Sequence, residues 1–241
     1  MRKAGLYSLV VGLFIILGIS SDSMADWRSY VWTYEYSTMP KGMSEIEYYL
    51  TTKIPDTAKS NINTWQHWLE LEYGVTDKWD AAMYQMWKYA NTATGSTFDY
   101  DGFKVRTRYR FGEQGKFFID PELYFEYIRD DDFSEPNVGE VKLILAKDLG
   151  GFNVSYNQAI ERNLEREGKS KHEYAVGASY ALLPDFKLGI ESKGSYSGRE
   201  SAIGPTISWA GAKFWVSFGA ALGLNKRTDD IQSRMIIGMP F

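Results

Sequence analysis

From residue 40 onward the chain falls into segments of roughly ten residues in which apolar or aromatic positions alternate with polar ones, each segment bounded by Gly, Pro, Asn, Asp or Ser. Between 98 and 111, Phe103, Val105, Tyr109 and Phe111 alternate with Lys104, Arg106, Arg108 and Arg110. In 152–162, Phe152, Val154, Tyr156 and Ile160 oppose Asn153, Ser155, Asn157 and Glu161, and in 186–195, Phe186, Leu188 and Ile190 oppose Lys187, Glu191 and Lys193. A period of two puts the polar set on one face of a strand and the apolar set on the other. The pattern predicts strands over 43–54, 64–73, 79–90, 98–111, 117–130, 138–148, 152–162, 172–182, 186–195, 202–209, 213–224 and 233–241, with almost no helical periodicity.

A soluble β-sandwich alternates in the same way, so alternation by itself does not choose between sandwich and barrel. Two features favour a membrane barrel. Trp65, Tyr73, Trp79, Tyr89, Tyr180 and Trp209 put aromatic rings near strand ends, where the two bilayer interfaces would lie. Connections alternate in length: tight turns at 74–78, 112–116, 149–151, 183–185 and 210–212, longer polar loops at 55–63, 91–97, 131–137, 163–171, 196–201 and 225–232, as expected of short periplasmic turns and longer outer loops. The expected fold is therefore all-β, a transmembrane antiparallel barrel of about twelve strands over 43–241. Residues 28–38, with Tyr30, Trp32, Tyr34 and Tyr36, look like one strand too many. An even strand number closes the barrel, so 26–42 is either an N-terminal aromatic arm at or inside the barrel mouth, or part of a fourteen-stranded barrel.

The two chain ends add a destination. Met235, Ile237, Met239 and Phe241 share one face of the last segment, and the chain stops on the aromatic ring. Here the sequence resembles the bacterial outer-membrane β-barrel class. The resemblance implies that Met235, Ile237, Met239 and Phe241 form the signal read by the barrel insertion machinery, and that the surroundings are outer-membrane lipid and lipopolysaccharide. At the other end, Arg2 and Lys3 precede an apolar run from Ala4 to Ile19, and Ser23-Met24-Ala25 offers a small-residue exit. Residues 1–25 read as a signal peptide cleaved near Ala25, which predicts export to the outer membrane of a Gram-negative cell. Thr38-Met39-Pro40-Lys41-Gly42 before Glu45-Ile46-Glu47-Tyr48, and Glu70-Leu71-Glu72-Tyr73-Gly74-Val75-Thr76-Asp77, resemble the opening hairpins of transporter barrels of the phenol-degradation MetA type.

Composition removes several alternatives. There is no Cys, hence no lipid-anchor thiol, disulfide or thiolate metal site. The formal charge is −4, and taking away Arg2, Lys3 and Asp22 (net +1) leaves −5, which offers nucleic acid no partner. No glycine-rich phosphate loop or His cluster suggests a cofactor or a metal. The acidic run Asp130-Asp131-Asp132 with Glu135 lacks calcium-loop spacing and reads as a solvated loop.

Alternation assigns to the lumen a set of both signs: Glu45, Glu47, Glu70, Glu72, Lys88, Lys104, Arg106, Arg108, Arg110, Glu122, Glu126, Glu140, Lys142, Glu161, Lys187, Glu191, Lys193 and Arg234. Lys104, Arg106, Arg108 and Arg110 form a basic ladder facing Glu122 and Glu126 on the next strand, with Glu140 and Lys142 beyond. Two functions follow. In a porin-like channel the ladder would select small polar or anionic solutes. In a closed structural or surface-binding barrel the same charges would pair across a polar interior. A third class, an outer-membrane hydrolase, needs a His beside a Ser, and the two candidates, His67 and His172, lie on an aromatic outer face and at a loop edge. The expectation is a barrel without enzymatic activity.

Overall fold

The structure, a computed structural model, describes residues 27–165, 168 and 170–241. The signal peptide expected over 1–25 lies outside the described residues. Twelve strands form one closed antiparallel barrel: β1 (Ser44–Ile54), β2 (Asn63–Thr76), β3 (Trp79–Thr92), β4 (Gly95–Arg110), β5 (Asp120–Arg129), β6 (Val138–Leu149), β7 (Phe152–Asn163), β8 (Ser170–Leu183), β9 (Phe186–Ser195), β10 (Glu200–Ala210), β11 (Trp215–Gly223) and β12 (Ile231–Pro240). Each strand pairs with its neighbours in sequence, and β12 closes on β1, with Tyr48 opposite Ile237. Phe241 seals the seam: its N–H donates to the Ser44 carbonyl at 2.8 Å. The ring closes at twelve, so the fourteen-stranded alternative does not occur. Residues 27–43 adopt no strand.

The pleat sorts the side chains as their alternation demands. Leu69, Met83, Val105, Phe125, Val141, Leu143, Val154, Ile190, Ile207 and Phe218 make an outer apolar band. Tyr73, Trp79, Tyr109, Phe152, Tyr180, Trp209 and Phe214 ring the terminal rim, where β1 begins and β12 ends, and Trp65, Phe98, Tyr100, Tyr127 and Tyr196 ring the far rim. Charged and small polar residues fill the inside, where Glu45, Glu47, Glu70, Glu72, Glu122 and Glu191 are all buried.

Two connections change kind, one long loop becoming a tight turn and one tight turn a long loop. The far-rim loop expected over 91–97 is a two-residue turn, 93–94, because β3 and β4 run on as a ladder to Thr92 and Gly95. That long hairpin keeps its twist through a bulge at Gly102, whose φ of +97° no side chain tolerates easily and whose missing Cβ would lie 2.0 Å from the Arg129 carbonyl oxygen. Conversely, the tight turn expected at 112–116 is a nine-residue connection, 111–119, at the terminal rim. Asp120 holds it as a loop by accepting from the Gly115 N–H at 2.7 Å and the Phe117 N–H at 3.2 Å. Phe117 and Phe118 thus belong to a loop and not, as their apolar character suggests, to the start of β5.

Candidate functional site: a plugged lumen

The arm enters the lumen from the terminal rim, turns near mid-height and returns to β1. An irregular segment inside a barrel leaves its backbone N–H and C=O groups without ladder partners, and each must find another. Lumen side chains supply them. The Glu191 carboxylate accepts three successive N–H groups, from Val31 at 2.7 Å, Trp32 at 2.9 Å and Thr33 at 2.7 Å. Asn157 brackets Tyr34, its Oδ1 accepting the Tyr34 N–H at 2.6 Å and its Nδ2 donating to the Tyr34 carbonyl at 2.9 Å. Glu122 accepts from Ser37 N–H and Asp80 from Met39 N–H, each at 3.0 Å. Arg234 Nη1 donates to the Val31 carbonyl at 3.1 Å, and the Ser208 and Ser217 hydroxyls donate to the Arg28 carbonyl at 2.7 and 2.5 Å. At the rim, the Tyr36 hydroxyl donates to the Gly112 carbonyl at 2.7 Å.

Shape matches as closely as hydrogen bonding. The lumen faces of β8, β10 and β11 carry Gly177, Ser179, Ala202, Thr206, Ser208, Ser217, Gly219 and Ala221. A Cβ on Gly177 would stand 2.5 Å from the Tyr30 ring, and one on Gly219 would stand 2.5 Å from Val31 Cγ2. The arm occupies a channel that these small residues leave open. The opposite wall, β1 to β5, fills its own space with Tyr49, Tyr84, Tyr124 and a network of charges.

That network contains most of the basic ladder. Register places Arg106 opposite Glu126 and Arg110 opposite Glu122 on β5, yet Arg106 reaches the other way. It bonds Glu70 and Glu72 on β2, each at 2.6 Å, and Asp80 on β3 at 2.7 Å. Ala82 lies between Arg106 and Glu72 in the ladder, and its small side chain lets the guanidinium cross β3. Arg108 bonds Glu72 at 2.5 Å and Asp80 at 2.8 Å, with Glu122 at 3.9 Å. Both guanidinium groups are within 2 % of full burial. Lys104 pairs with Glu126 at 3.0 Å and Lys142 with Glu140 at 2.9 Å, while Arg110 Nε donates to Thr38 Oγ1 in the arm at 2.8 Å. Asp80 joins two arginines to the arm backbone, and the sequence reading passed over it. Its parity with Tyr84 and Lys88 on β3 is the signal that places it inside.

Among the described residues neither histidine ring bonds a serine hydroxyl. His67 Nδ1 meets the Tyr48 hydroxyl at 2.6 Å on the outer surface, and at His172 it is the backbone N–H that bonds Ser197, at 2.9 Å. Glu140, Glu161 and Glu173 bring carboxylate oxygens within 4.8 Å of one another, but Glu140 and Glu173 already hold Lys142 and Lys171.

Cavities lie on both sides of the arm. One, of about 360 Å³, opens at the terminal rim between Trp27, Glu35, Gln114 and Asp148. The other, of about 180 Å³, lies toward the far rim with Trp32 in its wall.

No described protein family and no curated protein matches the sequence. Solved structures match the fold. The COG4313 outer membrane channel from Pseudomonas putida F1 aligns with a TM-score of 0.61 at 11 % identity, over 88 % of this chain and all of that one. The KdgM porin, solved in complex with disordered oligogalacturonate, and the NanC porin each align at 0.56 and 10 % identity, over 82 % of this chain and 98 % of theirs. The architecture of this chain is that of outer-membrane channel and porin barrels.

Proposed function

We propose that the protein is an outer-membrane channel for small polar solutes, closed by its own N-terminal arm. The observation that carries this reading is the division of the lumen. One wall is packed and charge-paired, the other is built of Gly, Ala, Ser and Thr, and the outward limb of the arm, residues 27–33, lies along the second before 34–38 return along the first. A barrel with only a structural role could fill that wall with larger side chains and dispense with the arm. The apolar outer band between two aromatic rims suits a bilayer, where strands can cross only in a closed ring. The terminal rim is then periplasmic and the far rim external. The reading involves no catalysis, and it moves solute selection away from Arg106 and Arg108, whose charges are neutralised within the wall. Lys104, Arg110 and Lys142 likewise have partners.

Planar-bilayer recording tests it. The chain from residue 27 should be nearly silent, and a chain lacking 27–38 should conduct in long, discrete openings. If the shortened chain inserts and stays silent, the closed structural barrel, favoured by the Arg106–Glu70–Glu72–Asp80 network, is the better description.

A further inference from the structure

The cavity above the arm tip differs from the rest of the lumen in joining three cations outside any ion pair, Lys193, Arg234 and Lys53, to a cluster of carboxylates only partly offset by lysines. Lys193 on β9 stands 4.8 Å over the Trp32 ring. Arg234 on β12 and Lys53 on β1 lie near enough to repel it. Among the described residues no carboxylate reaches ion-pair distance of Lys193, Arg234 or Lys53. Glu173, diagonal to Lys193 on the adjoining strand β8, and Glu140 line the cavity and stand with Glu161, three carboxylates against Lys142 and Lys171, and Glu200 on β10 adds a further carboxylate to the lining. Two lining side chains more than nine-tenths buried keep polar atoms without partners: Trp32 (9 % exposed) at Nε1, a donor, and Gln232 (8 % exposed) at Oε1, an acceptor. Buried polar atoms cost free energy until something bonds them. Trp32 Nε1, beside Lys193, wants an acceptor with negative charge, the glutamate cluster wants a donor with positive charge, and Gln232, opposite Lys53, adds an acceptor between the strands of the cationic wall.

We propose that this cavity binds a small zwitterionic solute of the amino-acid class, with its carboxylate at Lys193 and its ammonium at the Glu140–Glu161–Glu173 cluster. The aliphatic part of the solute lies on the Trp32 indole, and about 180 Å³ accommodates a short chain. A simple anion would satisfy Lys193 and leave the glutamates repelling one another; a simple cation would do the reverse. The inference deepens the channel reading by naming its solute class. Trp32 belongs to the arm, and the Trp32 N–H is one of the three on Glu191, so the ligand would touch the plug itself.

Isothermal titration of the chain from residue 27, in detergent micelles, compares γ-aminobutyrate with butyrate and butylammonium, which carry one charge each on the same carbon chain. γ-Aminobutyrate should bind about tenfold or more tightly than either, the effect of one charge-assisted contact. Lys193→Gln should remove its advantage over butylammonium, and Glu161→Gln its advantage over butyrate. Equal binding of butyrate and γ-aminobutyrate by the unaltered chain overturns the proposal in favour of an anion site, and binding of none of the three overturns it outright. The readout does not depend on conductance. Arm-dependent current without binding would leave the channel and remove the site, and binding without current after arm deletion would do the opposite.

Discussion

Arg106 bonds Glu70, Glu72, Asp80 and the Tyr84 hydroxyl, the last at 3.1 Å. Removing a buried ion from water costs several kcal/mol, recovered only where several charge-assisted bonds hold it. Four carboxylates, Glu70, Glu72, Asp80 and Glu122, share Arg106 and Arg108, so the cluster needs both cations. Arg106→Ala should lower the unfolding free energy in lipid vesicles by about 3–5 kcal/mol, the cost of stranding buried charge. Urea titration would show it, and a loss below about 1 kcal/mol would mean that the carboxylates take up protons instead. Glu191 is the corresponding residue of the other wall. A carboxylate that accepts three adjacent N–H groups fixes a turn of the arm with one side chain, and its alternation with Leu188 and Ile190 shows only that it faces inward.

The arm behaves as an element although it has no regular secondary structure. Its order comes from lumen side chains that cap its backbone and from the small-residue wall that receives Tyr30 and Val31. Because the chain has no cysteine, a Val31→Cys/Gly219→Cys pair would be its only thiols. The closeness of the two positions fits the roughly 3.5–4.5 Å that a disulfide needs between Cβ atoms. The oxidised variant should be silent in a bilayer under all voltages, and dithiothreitol should restore the behaviour of the unaltered chain. Current through the oxidised form would show that solute passes without arm movement. Gly177→Leu is the converse: a side chain in the space of the Tyr30 ring should dislodge the arm and make the peptide bonds near 30–34 cleavable by added protease, whereas they resist it in the unaltered chain.

At the scale of the whole molecule, the two faces of the barrel should respond oppositely to charge. Leu143, midway along β6, faces outward, and Ala175 on β8 lines the upper cavity. Leu143→Arg should destabilise the protein in vesicles by about 2–4 kcal/mol, the cost of a cation at mid-bilayer, while Ala175→Arg should fold with a far smaller loss. Equal effects would contradict a lipid-facing band. Assembly depends on the seam. Met235, Ile237 and Met239 point outward on β12, and Phe241 bonds Ser44 across the closing pair. We expect Phe241→Ser to leave the refolded barrel stable yet reduce the membrane-inserted fraction in cells, scored by heat-modifiable mobility on gels, if the insertion machinery reads this end.

The sequence by itself determined an antiparallel barrel of about twelve strands and their in-and-out sorting, and only the pairing of β12 with β1 decided twelve over fourteen. A two-residue period and turn residues are local properties, and a twelve-stranded antiparallel ring pairs sequence neighbours everywhere except at the closure of β12 on β1. It also marked 28–38 as a segment outside the count. The tertiary structure alone decided the rest. Whether Arg106 pairs with β5 or crosses to β2 depends on the space left by Ala82, and a register does not reveal the direction a long side chain takes. Asp120 turns Phe117 and Phe118 into a loop by backbone bonds that no periodicity records. The small residues of β8, β10 and β11 read, one at a time, as weak strand formers. Only when the curvature of the barrel brings Gly177, Gly219 and Ser208 around one space does their smallness become a groove, and the aromatic arm the piece that fills it.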